Sequence, residues 1–100
     1  MLKLSKPLLK KVVAVQFDSK MVHTYLRLVH DKNPLHSHIV PGQLVCEYIF
    51  QNYQLTWSSF KVKYQRPIQI NEKLYIQKEQ QSVKVFNQQH ELKLIIYNRL

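Results

Sequence analysis

Between Phe60 and Asn98 the chain alternates apolar and polar side chains in short runs, and no other feature constrains the fold as much. Phe60, Val62 and Tyr64 alternate with Lys61, Lys63 and Gln65, the period of two that marks a half-buried strand. Arg66-Pro67 closes it. Lys73 to Gln80 and Ser82 to Gln88 follow, with Leu74 and Ile76, then Val83 and Val85, on one face of each. Asn87 to His90 is a polar turn, after which Glu91 to Asn98 resumes the alternation through Leu92, Leu94 and Ile96. Strands linked this closely predict an antiparallel sheet.

The first half differs in kind. Leu8 to Phe17, rich in Val and Leu, predicts one strand. Asp18 or Ser19 then offers a side-chain oxygen to the free amides of a first helical turn. Met21, Val22, Tyr25, Leu26, Leu28 and Val29 recur at helical spacing as one apolar stripe. Pro34 is expected to end this helix by disfavouring α geometry at Asn33. Pro41 and Gly42 open a second helix with Leu44, Val45, Tyr48 and Ile49 on one face, apolar on most sides and expected to be buried. The fold class is α+β, with one domain over residues 1–100.

Gly42 is the only glycine in 100 residues, so most turns must be built from Asn, Asp, Ser and Pro. A lone glycine in such a chain is expected where a side chain cannot be tolerated. Cys46 is the only cysteine, which excludes an intrachain disulfide and a cysteine-based zinc site and fits a reducing compartment. No apolar run approaches the ~20 residues of a membrane helix. Lys10 and Lys11 interrupt the N-terminal apolar residues before a signal-peptide core develops. A cytoplasmic protein without membrane partners is the expectation. The formal net charge of +9 favours anionic partners: nucleic acid, a membrane surface or a phosphate-rich carrier. The basic residues are spread along the chain, so a lysine-rich solvated surface is the plainer account, and no specific nucleic-acid binding is expected.

The run His30-Asp31-Lys32-Asn33-Pro34-Leu35-His36 resembles the Gly-Asp-x-Asn-Pro-Leu/Ile-His signature of MaoC-like dehydratases and (R)-specific enoyl-CoA hydratases. It matches at Asp31, Asn33, Pro34, Leu35 and His36 and departs at His30, where the family usually has glycine. Ile39-Val40-Pro41-Gly42-Gln43-Leu44 is similar to the family's Ile-Ala-His-Gly-Met-Leu, which starts its central helix. Phe60 to Ile68 resembles the strand reading Val-x-Phe-x-x-Pro-Val, and the likeness runs over about residues 12–98. The resemblance implies a hotdog fold, an antiparallel sheet wrapped around a central helix. It also implies a homodimer and a lyase of fatty acid metabolism that interconverts trans-2-enoyl and 3-hydroxyacyl thioesters. The carrier would be coenzyme A or an acyl-carrier protein, with no cofactor.

Hydrating an α,β-unsaturated thioester needs a water activated for attack at Cβ, a proton for Cα, and stabilisation of the enolate oxygen between. Asp31 and His36 lie five apart across a proline-containing turn, a spacing that lets both converge on one water. The resemblance implies that Asp31 orients and deprotonates this water and that His36 shares in the proton transfer. The Gly42 N–H, at a helix N-terminus, suits the thioester oxygen, because the helix dipole favours negative charge there. Asn33 reads as a supporting residue that holds the turn by side-chain to backbone bonds.

Plainer readings stand beside these. Asp-Lys-Asn-Pro suits any loop after a helix. His30, His36 and His38 with Asp31 have the chemistry of metal ligands, but nothing fixes a ligand geometry, and no metal is expected. Glu47 reads as a half-buried polar helix residue, with a second acid as its alternative role, because related acyl-carrier-protein dehydratases place a helix glutamate five residues after this glycine. Cys46 reads as a small core residue rather than a nucleophile. One departure bears on function: only Ser37 to Pro41 separate His36 from Gly42, where family members normally carry a longer stretch contributing to the acyl pocket. The short segment implies either a shallower site for short acyl groups or a shell that binds without turnover. The function classes are therefore a hydratase or dehydratase, a non-catalytic thioester-binding or scaffold protein, and a small basic nucleic-acid binder.

Overall fold

The computed structural model describes residues 12–30 and 38–99, which form seven strands and two helices. Strand β1 (Val12–Val15) leads into helix α1 (Ser19–Leu28), and a two-residue strand β2 (Ile39–Val40) leads into helix α2 (Gly42–Asn52). Strands β3 (Phe60–Tyr64), β4 (Ile68–Gln69), β5 (Leu74–Lys78), β6 (Ser82–Asn87) and β7 (Leu92–Asn98) complete the chain. Five strands form one antiparallel sheet in the order β1-β5-β6-β7-β3, leaving β1 and β3 as edges. The short pair β2–β4 forms a separate ribbon in which Ile39 faces Gln69 and Val40 faces Ile68. Nothing in the sequence marked this ribbon, since two residues are too few to show a period. Among the described residues no helix is long and apolar enough to cross a membrane.

The core lies between the sheet and α2. Leu74, Ile76, Val83, Val85, Leu94 and Ile96 are buried on the inner sheet face, as their alternation predicted. They meet Val45, Cys46 and Ile49 of α2 and Val22 and Leu26 of α1. Each such side chain contributes about 1.5–3 kcal/mol on burial. Phe17 is also buried and packs edge-on against Tyr48, with ring centroids 5.3 Å apart.

Both helices are less covered than expected. Asp18 is the N-cap of α1, its Oδ1 accepting from the Met21 N–H at 2.8 Å. Only Val22 and Leu26, four residues apart on one face, are buried, whereas Met21, Leu28 and Val29 of the expected stripe are exposed. Nor does Pro34 stop the helix. It ends at Leu28, where the Val29 N–H returns to the Tyr25 carbonyl and His30 turns into the left-handed region at φ 56°. Asn33 and Pro34 lie outside the described residues. In α2, Gln43, Glu47, Gln51 and Asn52 are exposed, so one side is open rather than buried nearly all round. Strand β3 also departs from the half-buried expectation: Val62 is half-buried, but Phe60 and Tyr64 are exposed. As an edge strand it has one sheet neighbour, β7, and little above it except α2.

Turns also differ from expectation. The one glycine lies in a helix, and the left-handed positions fall on His30, Gln54, Asn71 and His90, with φ between 52° and 69°. Only asparagine had been anticipated among these residue types.

A bulge reshapes β7. Leu94 faces Val85 but Leu92 faces Phe86, leaving Lys93 as the extra residue. Leu92 therefore moves to the outer face with Phe86 instead of continuing the inner row of Leu94 and Ile96. The Lys93 side chain turns inward, donating to the Pro67 carbonyl at 2.8 Å and pairing with Glu72 Oε2 at 3.1 Å. Glu72 also accepts from the Gln69 N–H at 2.9 Å and from Asn87 Nδ2 at 3.2 Å. Burial alone would raise the Glu72 carboxyl, but the Gln69 amide, the Lys93 ammonium and the Asn87 amide together hold it below its ordinary value. A depressed carboxyl stabilises the fold above its unfolded value of about 4.3 and loses that contribution as pH falls through its folded value. Thermal unfolding followed from pH 7 to pH 3 should show this as a loss in the native chain below about pH 4 that Glu72→Gln lacks. Parallel profiles for the two proteins would remove the assignment.

Candidate functional site

The ribbon β2–β4 sets the N-terminus of α2 beside the segment leaving β3. A cavity of about 360 Å³ lies between residues 39–42 and residues 64–68, with Leu94 also lining it. Pro41 is the N-cap of α2, with φ −59° and no side-chain hydrogen bond to the first turn. Its carbonyl accepts from the Leu44 N–H at 3.0 Å and the Val45 N–H at 3.4 Å. The first turn therefore presents positive dipole at the cavity without a side-chain cap to satisfy it.

Gly42 has a steric reason to be glycine. A Cβ built there would overlap Tyr64 Cε1 and stand 2.8 Å from Tyr64 Cδ1. The aromatic ring thus lies directly on the helix backbone. Its hydroxyl lies near the thiol of Cys46, one turn further along the same helix face. Burial raises the Cys46 thiol, the Tyr64 hydroxyl lowers it and the Glu47 charge raises it, with a net upward shift. A raised thiol is a poor nucleophile, in keeping with the core reading of Cys46. The Tyr64 phenol is raised by burial first, then by Cys46 and Tyr25.

Beyond Tyr64 a second cavity, about 260 Å³, runs along α2. Gln43, Cys46 and Glu47 of the helix and Phe60 and Val62 of β3 line it, and Tyr64 lines both cavities. Phe50 and Phe60 meet across this gap with ring centroids 4.6 Å apart. A third cavity, about 470 Å³, opens on the outer face of the sheet beside Tyr75, Gln77 and Phe86, away from the α2 N-terminus.

Of the residues singled out in the sequence, Gly42 stands at the first cavity and Glu47 at the second, exposed rather than half-buried. Asp31, Asn33 and His36 lie outside the described residues. Tyr64 and Arg66, which line the first cavity, had not been singled out as site residues. The signal for Tyr64 was a sole glycine in need of a partner, but nothing local pointed 22 residues ahead.

No family model matches the sequence, and no curated protein matches it. Solved structures share its fold, two of which illustrate it. One is the (R)-hydratase from A. caviae involved in PHA biosynthesis, at 15% identity and a TM-score of 0.65, covering 91% of this chain and 95% of that one. The other is the R-hydratase PhaJ1 from Pseudomonas aeruginosa in its unliganded form, at 15% identity and a TM-score of 0.68, covering 90% of this chain and 79% of that one. The chain has the hotdog fold of these structures, a mixed α+β architecture with a large antiparallel sheet.

Proposed function

We propose that this protein is a hydratase or dehydratase that interconverts trans-2-enoyl and 3-hydroxyacyl thioesters. The observation that carries the reading is the junction of two features. The Asp31-x-Asn33-Pro34-x-His36 motif immediately precedes a hotdog helix whose uncapped N-terminus opens on a cavity. In this reading Asp31 takes a proton from water as its oxygen attacks Cβ, and His36 shares in delivering a proton to Cα. The Gly42 N–H receives the thioester oxygen while it carries enolate charge, and Asn33 supports the motif. Glu47 is the alternative acid. The carrier is coenzyme A or an acyl-carrier protein, whose negative charge suits a chain of net charge +9. No metal or cofactor takes part in this scheme.

Purified protein mixed with crotonyl-CoA should consume the enoyl absorbance as the double bond is hydrated. Absence of turnover would favour the second reading, a thioester-binding shell without catalysis. The short Ser37 to Pro41 segment and the ring lying over Gly42 both lean that way.

The proposed active form is a homodimer. Strand β3 has an open edge and carries exposed Phe60 and Tyr64, and unpaired edges of this kind are normally covered or paired. Light scattering at micromolar concentration is expected to return twice the 12.1 kDa chain mass. A strict monomer would overturn the dimer.

A further inference from the structure

We propose that Tyr64 is the residue that limits acyl-chain length, acting as a wall between the cavity at the α2 N-terminus and the cavity that runs along α2. The inference rests on the thioester reading, which places the carbonyl oxygen at the Gly42 N–H and so starts the acyl chain in the first cavity. From there, a route along α2 leads into the second cavity, which offers Phe60, Val62 and Phe50 to successive methylenes. Tyr64 stands across that route. Its ring covers the Cα of Gly42 so closely that a Cβ would not fit, and it lines both cavities. The acyl chain is thereby directed into the first cleft, about 360 Å³, while about 260 Å³ of mostly apolar space lies unused behind the phenol.

Tyr64→Ala removes the ring that lines both cavities and joins the two spaces. Tyr64 is 60% exposed, so its truncation leaves the buried core in place, and circular dichroism with light scattering would verify that fold and dimer both persist. The measurement is kcat/KM for trans-2-enoyl-CoA substrates of four to twelve carbons, in the native protein, Tyr64→Ala and Tyr64→Phe. The native protein should prefer four to six carbons. Tyr64→Ala should raise the eight-carbon to four-carbon ratio by at least about 10-fold, each newly buried methylene contributing up to about 4-fold. Tyr64→Phe keeps the ring, so its ratio should stay near the native one. A folded Tyr64→Ala with the native chain-length profile would overturn the proposal, as would a native protein that already favours long chains. Should no substrate be turned over, the hydratase reading fails, and calorimetry with butyryl-CoA and octanoyl-CoA decides the wall separately. The same shift of ratio in Tyr64→Ala would support it. Equal ratios in the two proteins, or no binding by either, would overturn it.

Discussion

Asp31→Asn is expected to lower kcat for crotonyl-CoA hydration by about 10²–10⁴-fold, the usual cost of removing a general base. Asparagine matches aspartate in shape but cannot accept the proton of the attacking water. His36→Ala should lower the rate by a similar factor. The double variant should be little slower than either single one, because two groups serving one water do not contribute additively. Native unfolding transitions in all three would separate lost chemistry from lost structure. Undiminished hydration in Asp31→Asn would sink the assignment and move the base to Glu47, the carboxylate beside the second cavity.

Gly42→Ala is expected to destabilise the protein by about 1–3 kcal/mol, the usual cost of overpacking a close contact. In a chain of this size that corresponds to roughly 4–8 °C of Tm per kcal/mol. The sign should reverse once the ring is gone. In a Tyr64→Ala background the same substitution meets no aromatic carbon, and alanine is the better helix former. Urea unfolding of the four proteins in this cycle measures the coupling directly. If Gly42→Ala costs nothing in either background, the ring is not held against the helix in solution, and the wall assigned to Tyr64 falls with it.

The sequence made the interior of this fold legible and its margins much less so. Leu74, Ile76, Val83, Val85, Leu94 and Ile96 were readable because a period of two leaves only one way to bury them all. The Asp18 cap was readable because it acts over three residues. Leu92 was misplaced because one extra residue, Lys93, reverses the alternation, and no composition rule marks a bulge. Met21, Leu28 and Val29 were overcounted because helical spacing says which residues share a side, not how wide a strip the sheet covers. The exposure of Phe60 and Tyr64 follows from strand order, which alternation does not encode. At the site, the glycine was found by its rarity. Its partner ring was not, since the contact joins a helix to an edge strand with no shared period.

The left-handed residues His30, Gln54, Asn71 and His90 bear on the unfolded chain as much as on the folded one. Holding a non-glycine residue there costs the native state on the order of 1–3 kcal/mol. Each side chain that replaces a glycine also narrows the backbone freedom of the denatured ensemble, reducing the entropy lost on folding by roughly 0.4–1 kcal/mol. With one glycine in 100 residues, this chain has raised the energy of its folded state at these positions while stiffening the ensemble from which it folds. Part of that cost is therefore offset in the conformations the unfolded chain gives up, where no contact in the native structure records it.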